Sequence, residues 1–182
     1  MMEQVILVDE QDNPIGLMEK QAAHLEPHLH RAFSIFIFNS KGELLLQQRA
    51  FSKYHSPGLW TNTCCSHPRD GETLAEATSR RLWEEMGMRC DIHEVYTFIY
   101  KAPVGQGLTE HEFDHVWIGQ SDDIPAINTD EVASWKYMAL NDLEKDIELY
   151  PEHYTEWFKI TFEEMTHHAN LLKACHTEPF RT

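Results

Sequence analysis

The sequence predicts a single domain of the α/β or α+β class, a mixed β-sheet with helices on its faces. Three observations lead there. A chain of 182 residues buries enough surface for one sizeable core but not for two. Its first half alternates short apolar runs with hairpin turn chemistry. Strand and helix patterns then interleave, so the sheet combines hairpins with crossovers and is not purely parallel. No repeat, low-complexity tract or linker interrupts residues 1–182, which are read as one unit with a core from about 20 to 160.

Val5–Val8 and Ile15–Met18 flank the turn residues Gln11-Asp12-Asn13-Pro14 and predict a short hairpin. Ala32–Phe38 is strongly apolar, and the turn Asn39-Ser40-Lys41-Gly42 leads into a strand at Glu43–Arg49. After a loop at Phe51–Gly58, Leu59–His67 reads as extended and stops at Pro68. Thr73–Met86 is the clearest helix. Thr73 and Glu76 form a capping box, Ala75, Leu82 and Met86 recur at helical spacing, and Gly87 suits the C-terminal stop. Strands follow at about 90–101, 112–120 and 134–138. Helices are predicted at about 140–149 and 151–173, with Pro151 in a first turn.

Hydrophobic residues at 42% and charged residues at 25% exclude global disorder. The net charge of −15 repels nucleic acid and anionic membrane, so neither is an expected partner. Bases are spread evenly while acids accumulate towards the C-terminus. An anionic ligand must therefore meet a local cluster of cations or a bound metal. Cys64 and Cys65 are neighbours and too close to bridge each other, and no CxxC occurs. The N-terminus has no basic region, and its apolar run is far shorter than a signal segment or membrane span. These features predict a reduced, cytoplasmic protein in which a notable cysteine is a thiol with chemistry to perform.

Several constellations could perform it. His24, His28, His30, His67, Glu110 and Glu112 cluster around predicted strands. Alternate residues of a strand share a face, so His28 with His30, and Glu110 with Glu112, can each point into one site. Imidazole and carboxylate together suit Mn²⁺, Zn²⁺ or Mg²⁺; with twelve histidines in the chain, a solvated surface explains the same pairs. Cys65 and His67 share a strand face, as a nucleophile with its base or as an acid–base thiol beside a metal ligand, and Cys64 points the other way as a buried hydrophobe. On the helix, Arg80 with Glu84 and Arg81 with Glu85 are four apart. They read as ordinary ion pairs, or as Glu85 on Mg²⁺ with Arg81 on a phosphate. Lys20, Arg49, Lys53 and Arg69 precede the helix and could clamp a diphosphate. Tyr154, Trp157, Phe158 and Met165 form a helical stripe that is core, or one whose Trp157 faces a cationic ligand.

Two matches go further. Ser66, Glu72 and the run Arg80-Arg81-Leu82-Trp83-Glu84-Glu85-Met86-Gly87-Met88 resemble the Nudix box, G-x5-E-x7-R-E-U-x-E-E-x-G-U. Ser66 replaces its opening Gly, and Arg81 replaces the Glu after the first Arg, which tells against diphosphate hydrolysis. His30-Arg31-Ala32-Phe33-Ser34, the run Trp60-Thr61-Asn62-Thr63-Cys64-Cys65-Ser66-His67-Pro68, and Glu110-His111-Glu112 are similar to the type I isopentenyl-diphosphate isomerases. That resemblance covers about residues 20–157 and implies a Nudix-like mixed sheet sandwiched by helices.

It further implies an isomerase of isopentenyl and dimethylallyl diphosphate in isoprenoid biosynthesis. His24, His30, His67, Glu110 and Glu112 would ligate one Mn²⁺ or Zn²⁺ (or Mg²⁺), and Glu85 would hold Mg²⁺ on the diphosphate. Lys20, Arg49, Lys53 and Arg81 would contact the diphosphate oxygens. Cys65 and Glu112 would be the catalytic pair, Tyr100 would support Glu112, and Trp157 would sit beside the isoprenoid carbons. The expected partner is the small isoprenoid diphosphate alone, and the expected state is a monomer or weak homodimer. The competing expectations are a Nudix hydrolase of a nucleoside diphosphate derivative and a non-catalytic metal- or nucleotide-binding module.

Overall fold

The computed structural model describes residues 3–177, with side chains described through residue 172. Cys175 therefore lies outside the described side chains. The expected hairpin is β1 (Gln4–Val8) with β2 (Pro14–Glu19), paired antiparallel. A short helix, α1 (Lys20–Leu25), follows where the sequence reading placed no element, capped by the Glu19 carboxylate accepting from Gln21 N and Ala22 N.

The central strand is β3 (His30–Phe38), buried almost throughout. Phe33, Ile35 and Ile37 point into one core and Phe36 and Phe38 into another, because successive side chains leave opposite faces. A strand apolar on both faces must be covered on both. Helix α2 (Leu74–Met86) covers the first face with Ala77, Leu82 and Met86. Helices α3 (Leu140–Leu149) and α4 (Glu156–Thr177) cover the second with Leu143, Trp157, Phe158 and Met165.

The sheet is mixed. β3 runs parallel to β8 (Leu108–Gln120) in continuous register from His30↔Glu112 to Phe38↔Gln120, and β8 pairs antiparallel with β7 (Ile92–Gly105). β4 (Glu43–Arg49) turns away after one register pair with β3, Phe38↔Leu44, and pairs instead with β9 (Val132–Ala139). Side chains bridge that opening. Thr63 Oγ1 accepts from Ile37 N of β3 at 2.9 Å and donates to Leu45 O of β4 at 2.7 Å. Asn62 Nδ2 donates to Ile35 O and Cys64 O. The predicted extended run is thereby split into β5 (Trp60–Thr61) and β6 (Cys64–Ser66), the latter antiparallel to β3.

The Thr73–Glu76 capping box and a left-handed Gly87 bound α2 as the sequence predicts. A Cβ on Gly87 would lie 2.4 Å from Ala126 O, so both its φ of 63° and the close approach require glycine. The helix expected from residue 151 is interrupted. Pro151–His153 form a single 3-10 turn, and Tyr154 and Thr155 are drawn to β5 by a Trp60↔Tyr154 bridge and a Thr155 N to Trp60 O hydrogen bond of 3.0 Å. No described helix is long and apolar enough to cross a membrane.

Candidate active site

The parallel register of β3 and β8 sets His30 directly beside Glu112. Their side chains share a face with Cys65, which opposes Ser34 from β6 on the other side of β3. His67 follows β6 and brings Nε2 to 2.9 Å from Glu112 Oε1, while His30 Nε2 lies 3.4 Å from the same oxygen. His24, from α1, completes a buried group of four whose ligand atoms all lie within 4.8 Å of one another. Spacing left His28 and His30 as alternatives. The structure selects His30, whose Nδ1 donates to His28 O at 2.8 Å, while His28 turns its own ring to Glu26 near the surface.

This donor set fits a divalent metal. His24 Nε2, His30 Nε2 and His67 Nδ1 are buried without a hydrogen-bond partner, an arrangement proteins rarely leave without a ligand. Burial depresses His24 to about 3 and His67 to about 4, which keeps both imidazoles neutral as coordination requires. Burial alone would raise the Glu112 carboxyl, but the hydrogen bond from His67 and the closeness of the His30 ring hold it well below its ordinary value. Glu110 shifts the opposite way, raised by burial and by the neighbouring Glu112 charge. Tyr100 Oη bridges the two carboxyls, 2.8 Å from Glu110 and 2.6 Å from Glu112. Glu110 shares the pocket but stands outside the convergent four, with Oε1 3.5 Å from His55 Nε2.

The same pocket is lined by Cys65, Trp157 and four cations, Lys20, Arg49, Lys53 and Arg81. Burial pushes the Cys65 thiol well up, with Glu85, Glu110 and Glu112 adding to the effect against Arg49. Cys64 is fully buried in the opposite core, as strand alternation predicts. Trp157 is 3% exposed; its Nε1 donates to Asn62 Oδ1 at 3.3 Å and the Arg49 guanidinium lies 5.2 Å from its ring. Arg69 does not line the pocket but extends towards Glu84 at 3.9 Å.

On α2 the two arginines divide the two readings between them. Arg80 is structural, pairing with Glu72 at 2.6 and 2.8 Å and with Glu84 at 3.1 Å. Arg81 enters the pocket, paired with Glu84, Glu85 and Glu131. Glu85 is buried and also accepts from Gln47 Nε2 at 2.8 Å. Each carboxylate oxygen has two lone pairs, so these partners leave acceptor capacity for a cation. Sequence reasoning missed Gln47, Tyr54, His55 and Glu131, which stand at no diagnostic spacing and are brought here only by the fold, and it gave Asn62 of the Trp60–Pro68 run no role of its own.

Residues 28–158 match the NUDIX domain family. A Pectobacterium atrosepticum protein named isopentenyl-diphosphate Delta-isomerase is 52% identical over 87% of this chain and 89% of its own. A Photorhabdus laumondii protein named isopentenyl-diphosphate Delta-isomerase 2 is 54% identical over 87% of this chain and 90% of its own. A crystal structure from Deinococcus radiodurans superposes with a TM-score of 0.75 at 21% identity, covering 89% of this chain and 98% of that one, and shares the fold. The chain belongs to the NUDIX family and, within it, to the isopentenyl-diphosphate Delta-isomerases.

Proposed function

We propose that the protein interconverts isopentenyl and dimethylallyl diphosphate by moving protons at either end of an allylic unit. One observation supports this above all: a thiol, a paired carboxylate, an aromatic face and four cations line one buried pocket. Moving a double bond from a terminal to an internal position adds a proton at one carbon and removes one from another. An unactivated alkene is a poor base, so the path develops positive charge on a tertiary carbon. Cys65 and Glu112 stand on strands either side of β3 and would exchange those protons, swapping roles between the two directions. Tyr100 holds Glu112 in place. The Trp157 face would stabilise the cation without bonding to it, and its burial keeps out water that would trap the cation as an alcohol.

His24, His30, His67 and Glu112, with Glu110 adjacent, would hold one divalent ion, and Glu85 would hold Mg²⁺ against the diphosphate. Such ions supply charge for anion binding and fix the carboxylates' orientation. Lys20, Arg49, Lys53 and Arg81 would take the diphosphate oxygens, concentrating positive charge locally in a chain of net charge −15. Arg81 also argues against the hydrolase alternative. It places a cation among Glu84, Glu85 and Glu131 where the Nudix box has another carboxylate for metal.

The test is to incubate the protein with isopentenyl diphosphate, Mg²⁺ and Mn²⁺ or Zn²⁺, with and without chelator, and to identify the product. The allylic isomer should appear without phosphate release and vanish with chelator. Steady release of phosphate or pyrophosphate would replace this reading with hydrolysis.

A further inference from the structure

His30 and His24 meet the candidate metal centre in the same way but are held by different groups. His30 Nδ1 lies 2.8 Å from the His28 carbonyl oxygen. A carbonyl only accepts, so Nδ1 carries the proton and Nε2 presents its lone pair to the centre. His24 Nε2 is likewise buried without a partner, while its Nδ1 lies 3.1 Å from Tyr54 Oη. Tyr54 sits on the loop after β4, lines the pocket, and among the described residues makes no other hydrogen bond. A hydroxyl can donate or accept. If it donated to Nδ1, the imidazole proton would move to Nε2 and block coordination.

We propose that Tyr54 is the positioning residue for His24: its oxygen accepts the Nδ1–H and fixes the tautomer that frees Nε2 for metal. Metal-binding imidazoles are commonly oriented in this way by an oxygen on their far nitrogen. His24 needs such a partner more than His30 does. His30 opens a continuous register of nine strand pairs, whereas His24 stands near the end of a six-residue helix.

The inference rests on the four-residue ligand set, and the experiment separates the two. Zn²⁺ affinity of the full chain is measured by competition with a chromophoric chelator for wild type, Tyr54→Phe, His24→Ala and the double variant. Tyr54→Phe keeps the ring and its packing and removes only the oxygen. It should weaken Zn²⁺ binding by about 10–100-fold. In the His24→Ala background it should have no further effect, because the path through His24 is already gone. If His24→Ala weakens binding and Tyr54→Phe leaves it unchanged, the positioning role is overturned and the ligand set stands. Additive losses also overturn it, since Tyr54 would then act independently of His24. If His24→Ala leaves affinity unchanged, both fall. Nitrogen-15 spectra of zinc-loaded wild type provide a check that needs no foldable variant: His24 should carry its proton on Nδ1. A proton on Nε2 overturns the proposal.

Discussion

Replacing Cys65 by serine changes one atom and should remove most of the turnover. Cys65 lines the pocket from β6, and burial with three nearby carboxylates keeps its thiol protonated. A hydroxyl of nearly the same shape fills the space but is a far weaker acid and, once ionised, a far less accessible base. General acid–base groups contribute about 10²–10⁴-fold, or about 3–5 kcal/mol of barrier at 1.36 kcal/mol per decade. The Cys65→Ser variant should therefore lose about two to four decades in kcat while melting temperature and bound metal stay at wild-type values. Rates are read by chromatographic separation of the two isomers, with metal content measured on the same sample. Cys64→Ser is the internal control. Cys64 points into the opposite core beside Ile35 and Ile37, so a hydroxyl there costs stability, about 1–3 kcal/mol, and leaves kcat little changed. Wild-type turnover in Cys65→Ser, or a larger loss of kcat in Cys64→Ser, would refute the assignment of faces and with it the proton-transfer role.

Three further outcomes are expected. Trp157→Ala removes a desolvated π face worth up to about 2 kcal/mol to a cation and should lower kcat by about 30-fold, whereas Trp157→Phe keeps a ring and should lose less; equal losses would reduce Trp157 to packing. Arg81→Gln removes a charge-assisted contact worth about 1.5–3 kcal/mol and should raise KM for the diphosphate by about 10–100-fold, checked by initial rates on protein shown folded by circular dichroism; an unchanged KM would exclude Arg81 from the clamp. Glu72 is held below its ordinary pKa, chiefly by its hydrogen bond from Arg80, so its stabilising contribution is present above the unfolded value and fades as pH falls through the lower folded one. The melting-temperature gap between wild type and Glu72→Gln should accordingly be widest near neutrality and close in acid, and a gap constant with pH would contradict that pairing.

Much of this architecture can be read from residue order because it is local. The α2 capping box, the Gly87 stop and the β1–β2 hairpin each depend on contacts within a few positions. Strand alternation was enough to separate Cys65 from Cys64. Tertiary contacts decide the rest. Helix α1 escapes detection because six residues hold too few turns for periodicity, and its cap is Glu19 instead of a short Ser, Thr, Asp or Asn. The break before α4 exists because β5 recruits Tyr154 and Thr155. Asn62 and Thr63 read as strand residues, yet their side chains take over hydrogen bonds the sheet leaves open between β3 and β4. His28 and His30 are equivalent by spacing; the β3–β8 register that distinguishes them joins segments about 80 positions apart. Residue type and spacing mark the imidazoles, carboxylates, cations and indole as candidates with a bland reading beside each, and the family resemblance chooses between the two; Tyr54 and His55 belong to no pattern at all.

The β3–β8 register also determines where the pocket can give way. Its floor, His30 and Glu112, is stitched into nine consecutive parallel pairs between two hydrophobic layers, the part of a protein that opens last. Its rim, with Lys53, Tyr54 and His55, hangs on the 51–58 loop, which contributes no strand of its own. Breathing that admits a ligand thus belongs to the rim, and amide exchange should be fast at 51–58 and slow at 30–38. Such a difference in exchange would mark an anvil beneath a softer lip, with the entrance adjusting while the floor keeps its geometry.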